Sequence, residues 1–304
     1  MKIEHEKDFR KTGRRMSVRT FLTPILFMVL HHLVLNLASV ILMFAHLASH
    51  PELGQSLLQN SIDSETLTKI LVEGNIMTWA SLSAMIVLIP LYLAYLYYWK
   101  KKDQSLLLTE RAHVKQWGSA LAIILGATGL TQLWMALLSS FDPMSFLGHK
   151  FQDYLDKVAL FDGRTATIAL ELVVTVFLVP IGEELLFRGI IQGELRRAFR
   201  PFVSVIGTTL LFALFHLDLI QGSYVLIAGF ALSAAYHFTR QIFVPIAMHI
   251  LFNFVGSGWL SRLIGADETT EVGIIIGLYA FILVGAFGYY YLWREQKKKD
   301  TVQV

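Results

Sequence analysis

Residues 166–189, ATIALELVVTVFLVPIGEELLFRG, form an apolar run long enough to cross a bilayer and end it on two carboxylates and an arginine. About 20 such residues span the hydrocarbon core of a membrane as a helix. A charged side chain at that depth costs at least ~2.5–3.5 kcal/mol on insertion scales, so such groups are rare and are read as functional by default. The expectation is a membrane helix at about 166–187 that delivers Glu183 and Glu184 to its cytoplasmic end. Two later stretches repeat the pattern: Phe212-Ala213-Leu214-Phe215-His216, which is expected to set His216 deep in a later span, and His249-Ile250-Leu251-Phe252-Asn253. Together these polar groups point to a water-using site inside the membrane.

The rest of the chain prefers the same solvent. Hydrophobic residues make up 55% and charged residues 16%, with mean hydropathy +0.54, far from the balance of a soluble domain. Apolar windows recur at about 20–46, 76–99, 117–138, 166–187, 202–217, 223–239, 242–260 and 272–293. The fold class expected is therefore all-α, a polytopic helical bundle of about eight transmembrane helices. The longer connecting segments, about 47–75 and 139–165, read as short amphipathic helices at the outer surface.

Charge orients the bundle. With both termini and the loops at about 100–116 and 188–200 in the cytoplasm, 21 of the 26 Lys and Arg lie inside, leaving Lys69, Lys150, Lys157, Arg164 and Arg262 outside. That is the bias of the positive-inside rule, and the opposite orientation inverts it. The pI near 9.0 then reports loop asymmetry and contact with anionic lipid rather than nucleic-acid binding. The basic arm from Lys2 to Arg19 resembles the n-region of a signal peptide, but the apolar run behind it exceeds a 7–15-residue h-region. An uncleaved first span is expected. The chain has no cysteine, which removes disulfides, thiolate metal sites, a cysteine nucleophile and S-linked lipid from consideration.

By content the chain divides into residues 1–160, spans with few ionisable groups and a basic arm, residues 165–260, which carry the polar clusters, and residues 261–304, a last span with a basic tail. Consecutive helix residues are about 100° apart, so Glu183 and Glu184 should not share a face. Glu184 and Arg188 are four apart and can pair. Glu183 is then free to face the bundle, where a carboxylate held in an apolar pocket suits proton abstraction from water. His249 and Asn253, also four apart, form one polar stripe that can address a developing oxyanion or a metal. Each cluster alone has a plainer reading as an interfacial ion pair or an interhelical clamp. Jointly, three helices with polar stripes that cannot face lipid should converge.

Glu-Glu-x-x-x-Arg, Phe-x-x-x-His and His-x-x-x-Asn, in this order over about 70 residues, resemble the CAAX-processing and bacteriocin-processing (CPBP, or Abi) intramembrane proteases, which include the type II CAAX prenyl endopeptidases. The resemblance covers roughly 166–260 and extends to Phe187-Arg188-Gly189, Gly229 and Pro245. It implies that Glu183 activates the attacking water with His216, that His249 and Asn253 stabilise the oxyanion, and that Glu184 and Arg188 support them. The resemblance implies a membrane-associated, lipid-modified or membrane-embedded peptide as substrate and the bilayer as partner. It leaves zinc open as a cofactor: the family has been described both as metalloproteases and as glutamate-dependent enzymes. His216, His249 and a glutamate would suffice as three zinc ligands, but HExxH is absent, and asparagine is a poor zinc ligand yet a good oxyanion donor. No serine stands in a nucleophile motif.

Other polar residues receive the plain reading. His31 and His32 are taken as helix-packing groups, Glu171 as paired or as easing water entry, and Asp218 as close to the outer end of the fifth span. Two rival functions remain: a non-catalytic immunity or scaffolding protein of the same fold, and a transporter with a Glu–His proton relay, which calls for inverted repeats that are not visible.

Overall fold

A computed structural model describes residues 16–51, 74–162 and 168–302. It consists of α1 (Val18–Ser49), α2 (Ile76–Lys101), α3 (Val114–Ser139), α4 (Phe146–Asp162), α5, α6 (Pro201–Phe215), α7 (Leu219–Thr239), α8 (Phe243–Gly256), the short α9 (Trp259–Ile264) and α10 (Glu268–Val302). Helix α5 is one helical run assembled from Ile168–Glu171, Leu172–Leu178, Val179–Glu184, Leu185–Ile191 and Gln192–Ala198. Among the described residues there is no β-strand, only an isolated bridge between Thr109 and Gln241.

The protein is an all-α polytopic membrane bundle. Helices α1, α2, α3, α7 and α10 are long and apolar enough to cross a bilayer, and α6 and α8 are shorter apolar helices. With α5 they account for the eight expected spans. Helix α4 occupies the second of the two expected surface segments; most of the first, 52–73, lies outside the described residues.

Local chemistry sets the helix ends. Pro201 opens α6, where a missing N–H costs nothing. Asp218 caps α7 by accepting from the Ile220 and Gln221 amides at 3.0 Å. Arg240 ends α7 in the left-handed region.

Helix α5 is the axis of the assembly. It packs on α1, α2, α6 and α8, and every residue from Gly182 to Leu195 is buried. One apolar cluster, built on Leu88, Leu186, Phe187 and Phe212, joins α2, α5 and α6; a second, around Ile124, Leu232, Val244 and Met248, joins α3, α7 and α8. Helix α10 covers α3 at very close range: a Cβ added at Gly126 would meet the Phe281 carbonyl oxygen at 2.5 Å. Small residues that admit a neighbouring backbone are how membrane helices gain packing contact.

Two sequence expectations fail here. The glutamates do not end their helix, because α5 continues past them to Ala198, leaving them midway along the run. The stretch from 188 onward, read as a cytoplasmic loop, is buried helix. Its polar residues find partners inside the bundle: Gln192 donates to the Ser233 carbonyl at 3.0 Å, Arg197 to the Gln104 carbonyl at 2.6 Å, and Arg19 to Glu194 at 3.2 Å. Arg188 is wholly buried, so it is no loop charge and drops out of the orientation count, leaving 20 against five.

Candidate active site

The site begins with the backbone of α5. Two of its segments, Leu172–Leu178 and Leu185–Ile191, are π-helical and flank the α-helical turn that bears the glutamates. π-Helical segments are rare and occur most often at functional sites. In the first, Val179 N–H reaches back five residues to the Val174 carbonyl. The same register would assign the Thr175 carbonyl to residue 180, but Pro180 has no N–H. Asn253 on α8 fills the gap, its Nδ2 donating to Thr175 O at 2.9 Å. A proline three residues before Glu183 thus frees the carbonyl that anchors the amide across from it.

Glu184 and Arg188 are completely buried and joined by a 2.6 Å contact from Nη1 to Oε1. Arg188 Nη2 also donates to the Gly229 carbonyl at 3.1 Å, and its guanidinium lies 4.8 Å from the centre of the Phe212 ring. A Cβ on Gly229 would approach Phe212 Cδ1 to 2.9 Å, so the glycine keeps room for this stack. Among the described residues, Arg188 Nε and Glu184 Oε2 have no hydrogen-bond partner. A buried polar network satisfied only in part is a poor source of stability. Its value lies in what it holds.

What it holds is His249. Glu184 Oε1 also accepts from His249 Nδ1 at 2.8 Å, since a carboxylate bound to Arg188 only accepts. Nδ1 therefore carries a proton, and Nε2 faces Glu183 Oε2 at 3.7 Å. That separation is beyond a direct hydrogen bond and within reach of one bridging water. The two carboxylates stand on either side of this ring. Their Cβ atoms do diverge, but the imidazole stands between them and each side chain reaches one of its nitrogens.

His216 is also placed differently from the expectation. It is not deep within a span but caps the C-terminus of α6, half-buried. Its Nδ1 lies 2.8 Å from the Phe212 carbonyl, which can only accept, so the proton sits on Nδ1 and the Nε2 lone pair is free.

A cavity of about 290 Å³ lies among these groups. Glu183, His216, His249 and Asn253 line it, with Thr175, Ser81, Gln221 and Tyr224 as further polar lining and Val179, Phe212, Val225 and Phe252 as apolar walls. Of the six residues singled out in the sequence, four face this space, and Glu184 and Arg188 stand behind it. Sequence reasoning missed Thr175, Pro180 and the cavity tyrosine Tyr224, whose hydroxyl lies 3.1 Å from that of Tyr154 on α4. Only Pro180, in the middle of an apolar span, carried a visible signal. Glu171 sits at the start of α5, about three turns from Glu183, and Asp218 pairs with Lys157 at 2.9 Å beside the turn after α6.

Among the described residues no three His, Cys, Asp or Glu side chains converge as a metal-holding group. No step below is routed through a metal.

Comparisons with known proteins point the same way as the motifs. A curated Bacillus subtilis (strain 168) protein named "Putative membrane peptidase YdiL" is 31% identical over 113 residues, 36% of this chain and 46% of that protein. The aligned part thus spans about half the length of the relative. No solved structure matches the chain significantly. The model of the Rce1-like family, type II CAAX prenyl endopeptidases, matches residues 165–255, which run from just before α5 almost to the end of α8 and include all six motif residues, so this segment of the chain is similar to that family.

Proposed function

We propose that the protein is an intramembrane endopeptidase that hydrolyses a peptide bond with a water activated by Glu183. The observation that supports this most is the cavity in which Glu183, His216, His249 and Asn253 meet. Glu183 and His216 Nε2 are the two proton acceptors facing it. Water held between them loses a proton to Glu183 as its oxygen adds to the scissile carbonyl. The oxyanion formed is met by Asn253, whose second amide hydrogen is not used by Thr175, and by His249 Nε2–H. His249 Nδ1–H is taken by Glu184, so this donation needs a proton on both ring nitrogens. Before the water gives up its proton, that ring and the Glu183 carboxylate form a pair of opposite charges. Collapse of the tetrahedral intermediate breaks the C–N bond, and the proton held by Glu183 passes to the leaving amine. Arg188 and Glu184 keep the imidazole in place throughout.

Residues 165–260 are the catalytic core in this reading, and the spans within 1–160 and 261–304 enclose it. The substrate is a membrane-associated peptide or a transmembrane or juxtamembrane segment; the name of the matched family makes prenylated C-termini the first class to try. Comparison of peptides and new N-termini in membranes with and without the chain tests the activity. Products that appear only with the wild-type protein are expected, and identical peptide sets would remove the reading.

Both termini and the loop at about 100–116 are assigned to the cytoplasm, supported by the charge bias. Because the chain has no native cysteine, single cysteines introduced near either end and labelled with an impermeant maleimide report the side directly. Protection in intact cells and labelling after permeabilisation are expected; labelling of intact cells at either terminus would reverse the orientation.

A further inference from the structure

We infer that His32, on α1 and outside the matched segment, is a positioning residue that sets the place of His216. The inference rests on the role given above to His216, but its structural part can be tested without any substrate.

The argument starts from the end of α6. The last four carbonyls of a helix have no donor within it and must be met from elsewhere. Here these are Phe212, Ala213, Leu214 and Phe215. The His216 ring meets Phe212 O at 2.8 Å, the His216 amide meets Ala213 O at 3.3 Å, and the Leu217 amide meets Leu214 O at 3.2 Å. The turn supplies those three itself. The fourth, Phe215 O, is met by His32 Nε2 at 3.0 Å, from a residue 183 positions earlier in the chain.

That carbonyl belongs to the peptide unit that includes the amide nitrogen and Cα of His216. A peptide unit is planar, so holding its oxygen fixes the plane from which the His216 side chain departs. The turn beyond it does not stabilise itself. Leu217 has φ 53°, a left-handed conformation that a leucine resists, where helices usually end on glycine. Its side chain is 81% exposed and packs little. The conformation is therefore imposed from outside, by the Asp218 cap on one side and by His32 on the other.

Helix α1 is built to deliver this contact. The His32 ring lies on the Phe215 ring with centroids 4.3 Å apart, and the buried His31 ring meets the same phenylalanine edge-on at 4.9 Å. His31 Nδ1 lies 3.0 Å from the hydroxyl of the buried Tyr92, which ties α1 to α2. His31 thus fixes the helix in register and His32 reaches across. His32 does not line the cavity, and its Nε2–H is engaged by the carbonyl, so it acts through His216 and not on the substrate.

The test uses the full chain in liposomes with three replacements. His32→Phe keeps a ring on Phe215 and removes the donor. His32→Gln places an amide N–H where Nε2 stood. His32→Met serves as the donor-free variant should the phenylalanine protein not accumulate folded. Amide hydrogen exchange, read by mass spectrometry, should accelerate about tenfold or more at His216 and Leu217 in the donor-free protein and stay near wild type in His32→Gln. With a quenched farnesylated peptide as the activity probe, kcat should fall about tenfold or more with KM within about twofold, and His32→Gln should restore it. Unchanged exchange at residues 216–217 in the donor-free protein would overturn the inference. So would a loss in His32→Gln as large as in His32→Phe, which would mark the ring and not the hydrogen bond. If the wild-type chain does not cleave the farnesylated probe, prenylated C-termini are removed as the substrate class while the exchange result still decides the role of His32.

Discussion

Glu183→Gln should lower turnover by at least about 10²-fold, the lower range for loss of a general base, while leaving peptide binding and folding intact. Glutamine keeps the volume of the side chain and its place in the cavity wall. It cannot accept a proton from water. The comparison is clean because Glu183 takes no part in the buried ion pair, which belongs to Glu184 and Arg188. Single-turnover cleavage in proteoliposomes separates chemistry from binding. Near-normal turnover by the glutamine protein would remove Glu183 as the base and turn attention to His216, the other free proton acceptor facing the cavity.

Arg188→Met should destabilise the folded protein by about 3–5 kcal/mol, the range for removing one partner of a buried ion pair. The expectation follows from what the arginine leaves behind. Glu184 is wholly buried, and without Arg188 its charge keeps only the His249 contact. The Gly229 carbonyl loses the donor that it has outside its own helix, and Phe212 loses the cation over its ring. Equilibrium unfolding in mixed micelles measures the change, and the Glu184→Gln/Arg188→Met pair supplies the control. With both charges gone the double variant should be more stable than Arg188→Met alone, because burying an unpaired charge costs more than lacking a pair. A loss below about 1 kcal/mol in the single variant would mean that the pair is hydrated and that its low exposure misrepresents its solvent.

Much of this architecture is legible without coordinates because the bilayer imposes strict terms. Backbone groups in hydrocarbon must be satisfied within a segment, so long apolar runs become helices whatever surrounds them. Glu184 and Arg188 pair because four residues on a helix bring them together, and that relation survives the local π-helical winding. His31 and His32 were read as packing groups, and packing is what His31 does; His32 does that and also meets a carbonyl beside the site. Length, apolar content and near-neighbour spacing act along the chain, and those the residues state directly.

Contacts between helices decided the remainder. Residues from Arg188 to Ala198 look like a solvated loop because Arg188, Gln192, Glu194, Arg196 and Arg197 punctuate them, and those of these side chains that are buried are so because α7 offers carbonyls at Gly229 and Ser233 and α1 offers Arg19. Glu183 and Glu184 diverge on a helical wheel, yet they address one imidazole because α8 sets that ring between them. Pro180 is visible in the sequence, but the carbonyl it frees acquires meaning only when Asn253 arrives from 78 residues away. A polar side chain at depth takes whichever partner the fold brings within about 3 Å, and no spacing along the chain encodes that distance.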